Sequence, residues 1–318
     1  MVVRSSVPIS KVSTPPEKGY QIRYNRSMKN THLEHPEDLI LTGNLDAIRA
    51  LYSEAHISMK MDGCPAIVWG TYKGKFFVCT KSAFNKKKIK LCYSIDDIFT
   101  HFGHQESVCE ILRYCFRYLP RTENVYQGDF LGFGRTDMLH PNTLVYLFDE
   151  TIYQKLVIAP HTQYTVNGEL CDAEAHPLTD TFTDSAIIKW VQPIVDRICP
   201  DVDMTDIDTS RIQFMTKSEA AQAKMKINAL IRDDVDLTDA VLLDVLGDLY
   251  LTNLYQMVIE MKEEVMDSLI IIDAPDCYLP DGRRVLGEGF VMSTEYGMIK
   301  LVDRTIFSHA NMTQGRFA

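Results

Sequence analysis

The stretch SMKMDGCPAIVWG, residues 58–70, decides how this chain is read. Lys60 stands among Ile57, Met59 and Met61, two residues before Asp62-Gly63. A lysine is costly to bury, so one set in an apolar run at a strand-to-turn junction needs a reason. Pro65 and Ala66 then lead into IVWG, an apolar run of strand character. Outward from it, AIVWGTY and KFFVC predict two short strands within 65–79, joined as a hairpin around Lys73-Gly74-Lys75.

The same patterning extends in both directions. NLDAIRALYSEA, 44–55, predicts a helix capped by Asn44, with Leu45, Ile48, Leu51 and Tyr52 at helical spacing. QESVCEILRYCFRYL, 105–119, predicts a second helix, stopped by Pro120. Strand-like runs follow at 124–126, 129–133, 143–148 and 155–159. From about residue 184 the texture turns helical: SAIIKWVQPIVDRI, SEAAQAKMKINALIR and a long helix over TDAVLLDVLGDLYLTNLYQMVIEMKEEVMDSL. Strand character resumes in SLIIIDAP, RRVLGEGFVMS and GMIKLVD. The expectation is an α+β domain built on sheets and interrupted by a helical insert.

Charge supports that division. The formal net charge is −10, but 20 acidic and 8 basic residues lie between Asp172 and Ser268, against 23 and 25 in the rest. The expected organisation is a flexible N-terminal arm at 1–18, a core at 19–171 and 269–318, and an acidic helical insert at 172–268. The insert is expected to serve as a lid, as a docking surface for a protein partner, or as packing against the core. No apolar run is long enough to span a membrane, and the N-terminus lacks the apolar segment of a secretory signal. Eight cysteines without CxxC spacing predict reduced thiols in a cytoplasmic protein and no structural zinc site. The nine histidines lack ligand spacing. No GxxxxGKS/T loop is present, which argues against a Walker-type NTPase, and no GxSxG elbow stands out.

Lys60 heads an ordered series. It continues with Thr80-Lys81-Ser82, Tyr126-Gln127-Gly128-Asp129, Leu147-Phe148-Asp149, Glu288-Gly289-Phe290-Val291 and Ile299-Lys300-Leu301. Such a set suits amine attack on the α-phosphate of a nucleotide. The amine must lose its proton, which desolvation or a nearby cation assists. A further lysine and a divalent metal would neutralise the phosphate. Magnesium takes one or two carboxylates and fills the rest of its shell with water and phosphate. Phe148 or Tyr146 would offer the base an aromatic face. The run Lys86-Lys87-Lys88-Ile89-Lys90 is either a solvated face or a contact for nucleic-acid phosphates.

This series resembles the covalent nucleotidyltransferase superfamily, which comprises ATP-dependent DNA and RNA ligases and mRNA-capping guanylyltransferases. The resemblance covers about residues 58–149 and 286–302 and rests on KxDG, a GD element, EGxV and a lysine-bearing strand. KMDGCPA, TKSAFNK, YQGDFL and HPNTLVY also look like a ligase-like family encoded by tailed bacteriophages. The resemblance implies an adenylation domain with antiparallel sheets, ATP and Mg²⁺ as cofactors, and nucleic-acid ends, RNA or DNA, as partners. By it Lys60 would be the adenylated nucleophile and Lys300 would touch the α-phosphate. Asp62 and Gly63 would shape the nucleotide-side turn, and Lys81 would meet ribose or a substrate end. Asp129 and Glu288 would handle metal and sugar, and Phe148 the base. Lys86, Lys87, Lys88 and Lys90 would contact nucleic acid.

Three departures stand out. Asp129 replaces the usual Glu. Lys300 lacks the second lysine of its element, for which Lys81 or Arg304 are candidates. Only 18 residues follow Lys300, so no C-terminal OB domain is expected. The functional expectation is an ATP-dependent polynucleotide ligase working through lysyl-AMP, in the bacterial host cytoplasm if phage-encoded. The alternatives are adenylyl transfer to a non-nucleic-acid acceptor and a non-catalytic, ligase-like phage structural or interaction protein.

Overall fold

In HISMK, Ile57 and Met59 are buried while His56, Ser58 and Lys60 are only half-buried. That is the period-two pattern of a strand with one wet face. The computed structural model describes residues 28–29, 33–197 and 207–313. The first elements in it are β1 (Met28–Lys29), α1 (Pro36–Leu39), α2 (Asp46–Tyr52) and β2 (His56–Lys60). The hairpin β3 (Ala66–Tyr72) and β4 (Lys75–Cys79) follows, then α3 (Ile95–Phe102) and α4 (Glu106–Tyr118). Strands β5 (Val125–Gly132), β6 (Thr136–Leu139), β7 (Val145–Ile152) and β8 (Leu156–Thr165) come next. Short strands β9 (Glu174–Pro177), β10 (Ile188–Trp190) and β11 (Ile194–Arg197) lead to helices α5 (Lys217–Arg232), α6 (Asp239–Leu246) and α7 (Leu249–Asp267). Then come β12 (Leu269–Ile272), β13 (Asp276–Tyr278), β14 (Arg284–Val285), β15 (Gly289–Thr294), β16 (Gly297–Leu301) and α8 (His309–Thr313).

The fold is α+β with open, mainly antiparallel sheets. The first sheet runs β1-β9-β8-β5-β3-β4, with β10 alongside β8 in parallel. The second runs β12-β11-β2-β15-β16, and the third β14-β13-β7-β6. Two apolar clusters form the core. One joins the first sheet to α3 and α4 through residues such as Trp69, Phe77, Ile98 and Leu112. The other joins the second and third sheets to α2, α5, α6 and α7 through Leu51, Tyr146, Ile227, Tyr255 and Phe290.

Several local expectations need correction. SAIIKWVQPIVDRI is not a helix: β10 pairs with β8, and β11 lies between β12 and β2. Pro193 cannot continue a helix, and Ile188, Val191, Ile194 and Val195 suit pleated surfaces. Helix in the acidic segment therefore begins only at Lys217, among the described residues. The long helix expected over 238–268 is two helices, because Gly247 takes a left-handed conformation (φ +73°) and Asp248 caps α7 by accepting from the Leu251 amide. Helix α2 starts at Asp46 without a side-chain cap. Asn44 enters it through its carbonyl, which accepts from the Ala47 amide. The seven described cysteines are free thiols. Among the described residues no helix is long and apolar enough to cross a membrane. The expected arm at 1–18 and Cys199 lie outside the described residues.

Candidate functional site

Strand register brings the distant motifs together. Lys60 stands opposite Gly289 in the β2–β15 pair, so the KxDG and EGxV elements lie at one level. Gly289 is required there: its φ is +142°, and a Cβ would lie 2.1 Å from the Leu301 carbonyl oxygen. One strand further, Val291 stands opposite Lys300. Ser58, Val291 and Lys300 therefore form one cross-strand row on the wet face, beside Lys60.

That face forms one wall of a cleft of about 1720 Å³. The opposite wall comes from the first sheet, with Gln127 and Asp129 on β5 and His161 on β8. Lys60, Lys81, Asp129, Phe148, Glu288 and Lys300 all line this cleft. The Lys60 ammonium is ion-paired with the Glu288 carboxylate; the lysine side chain is 34% exposed and the glutamate 13%. Burial pushes the Glu288 carboxyl up to about 7, against the pull of Lys60, and Asp62 and Asp129 add to the rise. Burial pulls the Lys300 ammonium below its ordinary range.

Asp62 and Gly63 do not line the cleft, although Met61 before them does. Asp62 is buried, and its carboxylate accepts from Asn142 Nδ2 (2.7 Å), the Thr143 amide (2.7 Å) and the Leu144 amide (2.9 Å). Its own amide donates to the buried Tyr146 hydroxyl at 2.6 Å. Tyr146 is thus a core brace, and of the two expected aromatics Phe148 is the one that lines the cleft, together with Tyr164, Phe182, Trp190 and Phe307. Gly63 lets the turn press on β5, since a Cβ there would lie 2.6 Å from Asp129 Cβ. The turn contains a cis Cys64–Pro65 peptide.

Lysines 86, 87 and 88 are exposed and lie outside the cleft lining. Lys90 is held on α3, donating to the His101 carbonyl (3.2 Å) with its ammonium 4.7 Å from the centre of the Phe102 ring. Arg304, a candidate second cation, lines the cleft but is heavily engaged. It donates to Asp38 (3.0 Å), the Tyr255 hydroxyl (3.0 Å) and Asn228 (2.7 Å). Beside it the buried Lys262 pairs with Glu37 at 2.8 Å and donates to the Val302 carbonyl. This network fixes α1 against α7. The Lys300 amide donates to the Glu34 carbonyl just before α1.

Sequence reasoning missed several cleft residues. His161 Nε2 lies 3.5 Å from Asp129 Oδ2 and 3.3 Å from Gln127 Nε2, while the Tyr164 hydroxyl donates to Gln127 Oε1. Lys224 and Asn228 on α5 also reach the cleft. A lone histidine and an amphipathic helix carry no spacing signal that would have revealed either. Among the described residues no group of three or more His, Cys, Asp or Glu side chains is placed to hold a metal ion unaided. Asp129 and Glu288, the two carboxylates expected at a metal, both line the cleft.

Antiparallel sheets around a cleft lined by lysines and carboxylates define the molecule at the level of architecture. The chain belongs to DUF6267, a family of unknown function, whose profile matches residues 30–243 and 246–316. No curated protein and no solved structure matches it.

Proposed function

We propose that the protein is an ATP-dependent nucleotidyltransferase of the polynucleotide-ligase type, with Lys60 as the residue that carries AMP. The observation that carries this reading is the pairing of Lys60 with Glu288 in a cleft shared with Lys81, Asp129, Phe148 and Lys300. Glu288 orients Nζ, and the open side of the cleft lets water take the proton that Nζ sheds. The Nζ lone pair attacks the α-phosphorus, the bond to the bridging oxygen breaks, and pyrophosphate leaves with the electron pair. Lys300 offsets charge on the phosphates, and Phe148 offers the base a stacking face. Asp129 and Glu288 would hold Mg²⁺, which when bound would neutralise phosphate oxygens. AMP would then pass to a 5′-phosphate of RNA or DNA, and a 3′-hydroxyl would displace it. The exposed Lys86, Lys87 and Lys88 follow Lys81 in sequence and would meet the nucleic acid. The setting is cytoplasmic, that of a bacterial host if the chain is phage-encoded.

A second reading keeps the lysyl-AMP and changes the acceptor. Asp149, Asp180, Asp184 and Asp273 line the cleft. They would repel a polyanionic strand and favour a neutral or cationic acceptor.

Both readings share one test. Intact mass after incubation with ATP and Mg²⁺ should rise by one AMP in the wild type and stay unchanged in Lys60→Ala. A folded wild-type protein, free of bound nucleotide, that gains nothing would sink both readings and favour the non-catalytic role. Label surviving in Lys60→Ala would sink the assignment of the nucleophile.

A further inference from the structure

Strand β8 departs from a regular ladder beside Asp129. Gln127 pairs with Thr162 and Gly128 with Pro160, so His161 is the extra residue of a bulge. Pro160 has no amide hydrogen to give the ladder, which suits it to such a break. The bulge leaves His161 and Thr162 on the cleft side together, where Gln127 and Asp129 of β5 also stand. Bulges re-aim side chains, and this one aims an imidazole at a carboxylate.

The spacing is that of two ligands, not of a closed ion pair. His161 Nε2 lies 3.5 Å from Asp129 Oδ2. A charge-assisted N–H···O bond closes to about 2.7–2.9 Å. Two atoms each about 2.1 Å from one ion, at an angle between square and tetrahedral, stand about 3.0–3.4 Å apart. The Gln127 amide nitrogen lies 3.3 Å from Nε2, which makes Nε2 the accepting nitrogen. Nδ1 then carries the hydrogen and donates to Thr162 Oγ1 at 2.7 Å. A metal-binding imidazole is held in this way, with one ring N–H given to a fixed partner and the other nitrogen's lone pair turned to the ion. The Tyr164 hydroxyl fixes the Gln127 amide from its other end at 2.8 Å. The 3.3 Å contact from Gln127 is long and yields to an ion, one of whose waters can accept the amide hydrogen instead. The His161 and Asp129 side chains are 30% and 16% exposed, so water can complete the shell.

We propose that Asp129 and His161 form a site for a first-row transition ion of the manganese class, with Gln127, Thr162 and Tyr164 as its positioning residues. Imidazole nitrogen suits manganese and the later ions of the row, whereas magnesium keeps to oxygen. The ion takes the place at Asp129 that Mg²⁺ has in the ligase reading. It binds without nucleotide, so the site goes beyond the lysyl-AMP reading and does not require it.

The test uses the full chain without nucleotide and Mn²⁺ alone, with the free ion followed by electron paramagnetic resonance. Wild type should bind Mn²⁺, and Mg²⁺ should displace half of it only at a concentration at least about tenfold higher. His161→Ala should raise the Kd for Mn²⁺ about tenfold or more, and Thr162→Val, which keeps the side-chain shape, should raise it about tenfold. Thermal unfolding of each variant checks that the fold is kept. A Kd in His161→Ala within about twofold of wild type marks adventitious surface binding and overturns the site. Absence of Mn²⁺ binding, or displacement by Mg²⁺ at equal concentration, also overturns it. Intact mass after incubation with ATP and Mn²⁺ keeps the two readings apart. His161-dependent Mn²⁺ binding without gain of AMP supports the metal site and sinks the lysyl-AMP reading. Gain of AMP with Mn²⁺ binding that ignores His161 overturns the metal site alone.

Discussion

Asp62 offers the sharpest test of how this cleft is built. Asp62→Ala removes a buried carboxylate that accepts from Asn142 Nδ2 and from the amides of Thr143 and Leu144. Thr143 is 6% exposed and Leu144 fully buried, so water cannot readily replace the lost acceptor. An orphaned buried amide costs about 1–3 kcal/mol, so the two together cost about 4 kcal/mol. That is a large part of the roughly 5–15 kcal/mol that holds a domain folded. Urea unfolding followed by far-ultraviolet circular dichroism would measure it. Asp62→Asn keeps one acceptor oxygen and should recover part of the loss. A destabilisation under about 1 kcal/mol, the level of an ordinary surface change, would refute the bracing argument. It would return Asp62 to the nucleotide contact that the KxDG resemblance implies.

The Glu288 carboxyl, held near 7 against an ordinary 4.5, makes a pH-dependent contribution. A raised acid holds its proton more tightly in the native state, so its contribution is full below about 4.5 and is lost as pH rises through about 7. Glu288→Gln does not titrate. Its stability relative to wild type should improve across that window by up to about 3 kcal/mol, at about 1.36 kcal/mol per pH unit of difference. Parallel stability curves would contradict the burial of the charged form. For nucleic acid, replacing Lys86, Lys87 and Lys88 by Gln should weaken binding and flatten its salt dependence by about 2–3 in log–log slope. An unchanged slope would leave the run as a solvated face.

Much of the fold was legible because it is local. The hairpin over 66–79 follows from apolar runs flanking Lys73-Gly74, α4 from helical spacing with Pro120 as its stop, and α5 from its helical texture. The order of Lys60, Lys81, Asp129, Phe148, Glu288 and Lys300 was also readable, and these six share one cleft. Short apolar runs were less informative. The segment 185–198 carries enough apolar residues for a helix, and only its pairing with β8, β12 and β2 makes it strand. One left-handed glycine split the long helix.

By itself, then, the sequence determined which stretches alternate, where the turns fall and which chemical groups the chain carries. Only the tertiary structure decided who meets whom. Register set Lys60 opposite Gly289, with Glu288 in reach of the ammonium. Buried amides of 143 and 144 claimed the Asp62 carboxylate. Packing of α5 against α6, α8 and the turn at Arg304–Ser308 carried Lys224 to the cleft, where it meets Glu34. Periodicity acts over a few residues, whereas these contacts join segments tens to hundreds of residues apart. They are chosen by where buried polar groups find partners, which no local pattern records.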